Sequence, residues 1–206
     1  IIKYFIMKKA LITLLLLPVF TLAQTLEELD FIAPFNDGVA AIKKDNSWGF
    51  INDKGAILIN FRDDLVLTET NYGHYPEFNN DRCLISEKKE SILYFGYIDK
   101  TGEKVIETKF LNASNFNKNK TIALQLIKKE LGENDVLGKN VVNYRYHEVI
   151  IDTNGTIKNY LNPKGVNVVL DEKFLKKPPK ITSKLISDDL FATLNENNKW
   201  VIKSIK

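Results

Sequence analysis

The residues best suited to chemistry lie in one stretch, Arg62-Asp-Asp-Leu-Val-Leu-Thr-Glu-Thr-Asn-Tyr-Gly-His-Tyr-Pro76. It carries three carboxylates, Asp63, Asp64 and Glu69, with His74 flanked by Tyr72 and Tyr75. Asp63 and Asp64 are sequence neighbours, so on a strand they point to opposite faces and do not share a substrate. One of them paired with Glu69 would give the acid and base of a small glycan hydrolase, since such enzymes work with two carboxylates across a cleft. No recognisable mutual spacing links these acids to His74, however. The stretch fits recognition better, with Asp64, Glu69, Tyr72, His74 and Tyr75 as a polar and aromatic contact surface.

Other chemistries fall away on residue type. His74 and His147 are the only two histidines, and neither has the Cys or acid spacing of a zinc site. No Gly-rich loop follows a strand and opens a helix, and no nucleophile elbow is present. Cys83 is the single cysteine, so no disulfide forms within the chain. The expectation is a protein without catalytic residues, cofactor or metal.

The elements that must position the 62–76 stretch announce themselves by repetition. Phe35-Asn-Asp-Gly-Val-Ala-Ala-Ile42 returns as Phe78-Asn-Asn-Asp-Arg-Cys-Leu-Ile85, and more loosely as Phe116-Asn-Lys-Asn-Lys-Thr-Ile-Ala123. Trp48-Gly-Phe-Ile-Asn-Asp-Lys-Gly55 returns as Phe95-Gly-Tyr-Ile-Asp-Lys-Thr-Gly102, and in degraded form as Glu148-Val-Ile-Ile-Asp-Thr-Asn-Gly155. The pattern starts again at Ile186-Ser-Asp-Asp-Leu-Phe-Ala-Thr193 and Trp200-Val-Ile202. Repeats of this size are supersecondary units that must stack to bury a core.

Within the first copy, β-branched and aromatic residues predict strands over 39–43, 48–52 and 56–61. Asp45-Asn-Ser47 closes the first hairpin. Asn52, Asp99 and Asp152 open the second turn of successive copies, and Gly55, Gly102 and Gly155 end it. Such a turn uses the Asx side chain as a local acceptor and Gly for positive φ. A calcium loop needs several carboxylates within about 12 residues, and these turns hold too few. Trp48 beside Gly49 and Phe95 beside Gly96 predict a ring between sheets next to a backbone that approaches the Gly closely. Trp200 is expected in the core for the same reason. Cys83 takes the slot of Ala40 and Thr121, a place for small buried residues, which makes its thiol inert.

The copies differ at insertions, where binding surfaces usually lie. Besides 62–76 these are a polar stretch around 128–139, expected as a long hairpin tip, and residues 160–184 with the spacer Lys176-Lys-Pro-Pro-Lys180.

The 206 residues hold 29 Lys+Arg against 26 Asp+Glu, a net charge of +3. Lys3, Lys8 and Lys9 account for that excess, because residues 1–23 contain no acid. Without them the chain is neutral, which excludes the basic footprint of a nucleic-acid binder. Met7 is the only methionine, so residues 1–6 are expected to precede the natural start. Lys8 and Lys9 precede the apolar residues 10–20, and Thr21 and Ala23 place small side chains before Gln24. This is the pattern of a cleaved export signal, with an apolar run too short to span a bilayer. The mature protein is expected to be one domain over 24–206, periplasmic or secreted, with no integral membrane span.

The repeated residues resemble the WG-containing β-repeat, whose copies run Phe-x-(Asp/Asn)-Gly, then Trp-Gly-(Tyr/Phe)-Ile-Asp-x-x-Gly. Residues 33–62 match best, 76–110 carry Phe95 for the Trp, 113–158 carry Glu148 and Val149 for Trp-Gly, and 185–206 stop at a second strand. The resemblance implies an all-β fold of tandem antiparallel units, either a propeller-like arc or an open β-solenoid. It brings no established activity, substrate or catalytic residue. The function expected is a non-enzymatic exported module for recognition or scaffolding, its partner a protein or glycan of the envelope or extracellular space.

Overall fold

The computed structural model describes residues 26–134 and 139–205; the export signal expected over 1–23 and the centre of the 128–139 tip lie outside them. Among the described residues all regular structure is strand, every pairing is antiparallel, and no helix is long and apolar enough to cross a membrane. Four strands, β1 (Phe31–Ile32), β2 (Ala40–Lys44), β3 (Ser47–Ile51) and β4 (Ile57–Arg62), form the first sheet in that order. A separate hairpin follows, β5 (Thr68–Thr70) and β6 (Gly73–Tyr75).

A curled, half-barrel sheet then runs through β7 (Phe78–Asn79), β8 (Arg82–Lys89), β9 (Ile92–Ile98), β10 (Lys104–Ala113), β11 (Lys120–Asn134), β12 (Lys139–Asp152) and β13 (Ile157–Tyr160). The short β14 (Val166–Val168) also pairs with β12. A last sheet contains β15 (Lys184–Leu185), β16 (Leu190–Leu194) and β17 (Trp200–Ser204). The chain is thus an all-β array of tandem units in an arc or solenoid.

Strand pairing shows the units to be copies. Ala40 faces Ile51, Cys83 faces Ile98 and Thr121 faces Ile151, the same small-residue slot three times. The glycines of the motif follow from an irregularity beside them. Between Phe50 and Trp48 the chain advances two residues while its partner β4 advances three, from Ile59 to Arg62. Between Tyr97 and Phe95 the partner β10 advances four, from Ile106 to Phe110. Each bulge pushes backbone over the intervening glycine. A Cβ on Gly49 would sit 2.8 Å from the Ile59 carbonyl oxygen, and one on Gly96 would collide with the Ile106 carbonyl and the Thr108 nitrogen. In unit three Val149 takes this position, and beside it β13 is in step, with Val149 facing Tyr160 and Ile150 facing Asn159; the irregularity there comes one residue later, between Ile150 and Ile151. Where the bulge is absent, a side chain fits.

Neighbouring units lock through aromatic rings. Phe50 of the first meets Phe78 of the second edge-on with centroids 4.8 Å apart, and Tyr97 of the second meets Phe116 of the third in the same way at 4.8 Å. All four rings are at most 3% exposed. The buried Tyr97 hydroxyl donates to the Ser114 carbonyl at 2.6 Å, so its polar end is satisfied.

The turns that follow Phe35, Phe78 and Phe116 stack beside the rings. Each has two positive-φ residues at its centre: Asp37 and Gly38, Asn80 and Asp81, Lys118 and Asn119. The Asp81 N–H donates to the Asp37 carboxylate at 2.7 Å, and the Asn119 N–H to the Asn80 side chain at 3.2 Å. Lys100 bridges Asp37 and Asp81 at 3.5 and 2.5 Å.

The third junction is different. Glu148, in the place of Trp48 and Phe95, is 3% exposed. Its carboxylate accepts from the Thr182 N–H and hydroxyl at 2.6 and 2.7 Å, from the Ser183 N–H at 3.1 Å and from the Ser183 hydroxyl. Four donors satisfy the buried carboxyl group and tie unit three to the residues that lead into β15 of unit four.

Trp200 corrects the expectation of a core residue, for it is 51% exposed. Trp48 and Phe95, at 8% and 5%, are covered by a third strand and by the next unit. Among the described residues β17 pairs only with β16, and the Lys184 ammonium alone lies over the Trp200 ring, 5.0 Å from its centroid.

The bulge account predicts an inverted sign at Gly96. A glycine inside an open strand is usually weaker than alanine by about 0.5–1 kcal/mol. Gly96→Ala should instead destabilise by about 1–3 kcal/mol, as overpacking does. Denaturant melts check this, and a midpoint at or above wild type contradicts the close approach.

Candidate functional site

The 62–76 stretch begins as a junction strand. After β4 the chain continues along β8: Val66 N–H donates to the Leu84 carbonyl at 3.0 Å and Ser86 N–H to the Asp64 carbonyl at 2.8 Å, and Leu65 bridges Ile85. The end of β10 does the same for β11, where Ala113 faces Ala123. From there unit three reaches its opening Phe116 in three positions, whereas Leu65 needs thirteen to reach Phe78. The extra residues fold as the β5–β6 hairpin.

Pairing sets the hairpin's two faces: Thr68 opposes Tyr75, Glu69 opposes His74, and Thr70 opposes Gly73. Tyr75 and Thr68 share the inward face. Tyr75 is 4% exposed and packs on Phe31 at 5.7 Å, and Phe31 in turn meets Trp48 edge-on at 5.7 Å. The Thr68 hydroxyl accepts from the Asn115 amide at 2.6 Å. At the turn the Thr70 hydroxyl donates to the Gly73 carbonyl at 2.8 Å and accepts from the Tyr72 N–H at 3.1 Å. Tyr75, expected on the contact surface, is therefore a buried anchor, because period-two alternation turns it inward. Glu69 and His74 lie exposed side by side on the outer face, and Tyr72 is 70% exposed at the tip.

The aspartates are engaged elsewhere. The exposed Asp63 accepts from the Ser47 hydroxyl. Asp64 grips Arg62 at two points, Nε to Oδ1 at 2.6 Å and Nη2 to Oδ2 at 2.8 Å, and Arg62 also donates to the Gly102 carbonyl at 3.0 Å. Its hydrogen bond to Asp64 raises the Arg62 guanidinium further, against the opposing effect of burial. The open groove that Asp64 lines, about 520 Å³ with Asn60, Arg62, Thr101 and Gly102, contains neither Glu69 nor His74. Among the described residues no three His, Cys, Asp or Glu side chains gather as for a metal. Cys83 is fully buried, and burial pushes its thiol well above the ordinary range.

The other perturbed acids serve turns and strands. Asx side chains at Asn52, Asp99 and Asp152 each accept two N–H groups from the turn they open. Asn195 does the same in unit four, with Asn198 at φ 55° where the other turns place Gly at φ 75–84°. That fourth turn escaped the sequence reading, though Asn in both places was its signal. The Thr101 hydroxyl and the backbone donors hold Asp99 below the usual carboxylate range. Burial raises Asp152, but Lys158 at 2.8 Å and two backbone N–H groups outweigh it and leave it lowered. Exposed Glu87 is held down to about 2 by the Thr108 hydroxyl and then by Lys104.

A second groove, of about 330 Å³, lies on the long hairpin between Ile127, Lys129, Asn143, Arg145 and His147. Arg145 donates to the Asn167 side chain at 2.7 Å, and His147 Nδ1 lies 3.1 Å from the Asn162 carbonyl. The alternation Asn143, Arg145, His147 on one strand face was its sequence signal.

These depressed acids make acid sensitivity part of the turns. Their charged form is favoured in the fold, so the stabilisation is complete above the unfolded carboxylate value, about 3.9, and is lost as pH falls through the lowered folded values. Asp152→Asn should retain neutral-pH stability, as Asn52 and Asn195 do in the same turn, and should lose less on acidification. Asp152→Ala should cost about 1 kcal/mol at pH 7, since the group is partly solvated. Melts at pH 7 and pH 3 read both, and identical curves for the two variants contradict the turn's role.

Comparison with known proteins bears on this geometry. The family model of the WG containing repeat matches residues 28–48, which run through β1 and β2 to Trp48, and residues 95–125, which run from Phe95 into β11. No curated protein and no solved structure matches the chain. The first matched segment lies in the first unit and ends on Trp48, and the second runs from Phe95 of the second unit through Phe116 of the third; over these segments the chain carries the WG containing repeat.

Proposed function

We propose that this chain is a non-enzymatic recognition or scaffolding module, exported to the periplasm or beyond, which meets its partner through the β5–β6 hairpin. One observation carries the reading: the hairpin's inward residues are used to fix it to the core, and its outward residues face solvent together. Tyr75 and Thr68 hold it, while Glu69, Tyr72 and His74 are presented. An insertion on a rigid β scaffold is where repeat proteins place contact residues.

The aromatic tip with flanking acid and imidazole suits an exposed peptide or a sugar ring, both of which stack on Tyr while accepting or donating hydrogen bonds. The turn acids support the same reading, since each is committed to its own backbone. Export rests on the charged, apolar and small-residue succession of residues 8–23.

The experiment pairs a binding screen with a turnover screen. Wild type, Tyr72→Ala, Asp64→Asn and Glu69→Gln are tested on a glycan array, on immobilised peptides and on chromogenic glycosides and peptides. The expectation is binding that Tyr72→Ala weakens at least tenfold, with no turnover by any form. Turnover that Asp64→Asn or Glu69→Gln removes would replace this reading with a carboxylate hydrolase.

A further inference from the structure

The two ends of the array carry the two halves of its internal junction. At each internal aromatic junction an opening Phe is received by the next-lower unit's sheet face. Phe78 and Phe116 are received in this way and are 0% and 3% exposed. Phe35 opens unit one and is 54% exposed, and Ile32 beside it is 60% exposed. At the other end, the face of unit four that corresponds to Val39, Trp48 and Phe50 is made by Leu190, Trp200 and Ile202. The first three are 4%, 8% and 1% exposed; the last three are 38%, 51% and 63%. One end offers the ring, and the other offers the face that takes it.

Backbone features match as well. Among the described residues no strand lies on the outer edge of β17, the place that β4 takes beside β3 in unit one. β1 holds against β2 the place that residues 64–66 hold against β8, for Ile32 faces Ile42 as Leu65 faces Ile85. Residues 26–30, leading into β1 with Leu26 and Leu29, therefore stand where β4 stands relative to a preceding unit. The turns agree too. Asp81 N–H donates to Asp37 and Asn119 N–H to Asn80. The corresponding donor at the N-terminal end is the Gly38 N–H, and the corresponding acceptor at the C-terminal end is the exposed carboxylate of Asp188, whose Oδ1 lies 3.8 Å from the Lys118 ammonium.

We propose that copies of this chain associate head to tail. The C-terminal face of one copy, Leu190, Trp200 and Ile202, receives Phe35 and Ile32 of the next, and the next copy's residues 26–30 run along β17 as its missing strand. The partner is a second copy because its end already has the complementary ring, strand and turn donor. A heterologous contact of this kind propagates, since each copy keeps one end open.

Sedimentation velocity of the purified protein over a concentration series tests this, with Phe35→Asp and Ile202→Asp as variants. Both side chains are more than half exposed, so folding should survive, and far-UV circular dichroism verifies that. Wild type should form species that grow with concentration, and each variant alone should stay monomeric. An equimolar mixture of the two variants retains one good end of each kind and should form a dimer and nothing larger. Tryptophan emission gives a readout that needs no variant: Trp48 is already buried, so a blue shift with concentration reports cover of Trp200. A wild type that remains monomeric with unchanged emission overturns the proposal, as does a variant mixture that fails to pair.

Discussion

The edge-on contact between a strand aromatic of one unit and the opening Phe of the next is the interaction on which the rest depends. Phe50 with Phe78 and Tyr97 with Phe116 repeat it at the same 4.8 Å separation. A three-stranded unit has one face it cannot cover alone, and isolated small sheets are at best marginal in water. The ring supplied by the following unit closes that face. Around it sit the features that keep units in phase: the stacked turns with their cross-unit N–H donors, and Gly102 and Gly155 resting on Ile59 and Ile106 of the unit before.

The bulge beside Gly49 and Gly96 serves the same contact. It turns β4 and β10 so that their continuations reach β8 and β11, which carries the chain from one unit into the next. Unit three has lost the bulge beside this position, the glycine and the aromatic together, and Glu148 with its four donors replaces them. A polar clamp thus does at the third junction what rings do at the first two. The insertion that forms β5 and β6 exploits the first junction, because its anchor Tyr75 packs into the Phe31–Trp48 cluster.

What the sequence made legible was local. The Asx turns, their glycines, the strands of the first unit and the close approach at Gly49 and Gly96 follow from residues within one hairpin, so spacing alone revealed them. The small slot shared by Ala40, Cys83 and Thr121 was readable because the copies align. The misreadings concern cover by distant chain. Trp200 has the type and spacing of Trp48, but its burial depends on a third strand and a further unit that the described residues do not provide. Tyr72 and Tyr75 have the same residue type three positions apart, but the hairpin pairing places Tyr72 at the exposed turn and turns Tyr75 into the core. Glu148 looked like a decayed motif, and its partners Thr182 and Ser183 lie 34 and 35 residues away.

The most direct measurement of the ring-lock is a double-mutant cycle on Phe50→Leu and Phe78→Leu, followed by equilibrium denaturation. Leu keeps each site apolar and removes only the ring geometry. The account predicts a coupling of about 0.5–1.5 kcal/mol between the two substitutions, the usual value for a buried aromatic pair. Effects that add to within about 0.3 kcal/mol would contradict it and reduce the interlock to ordinary burial.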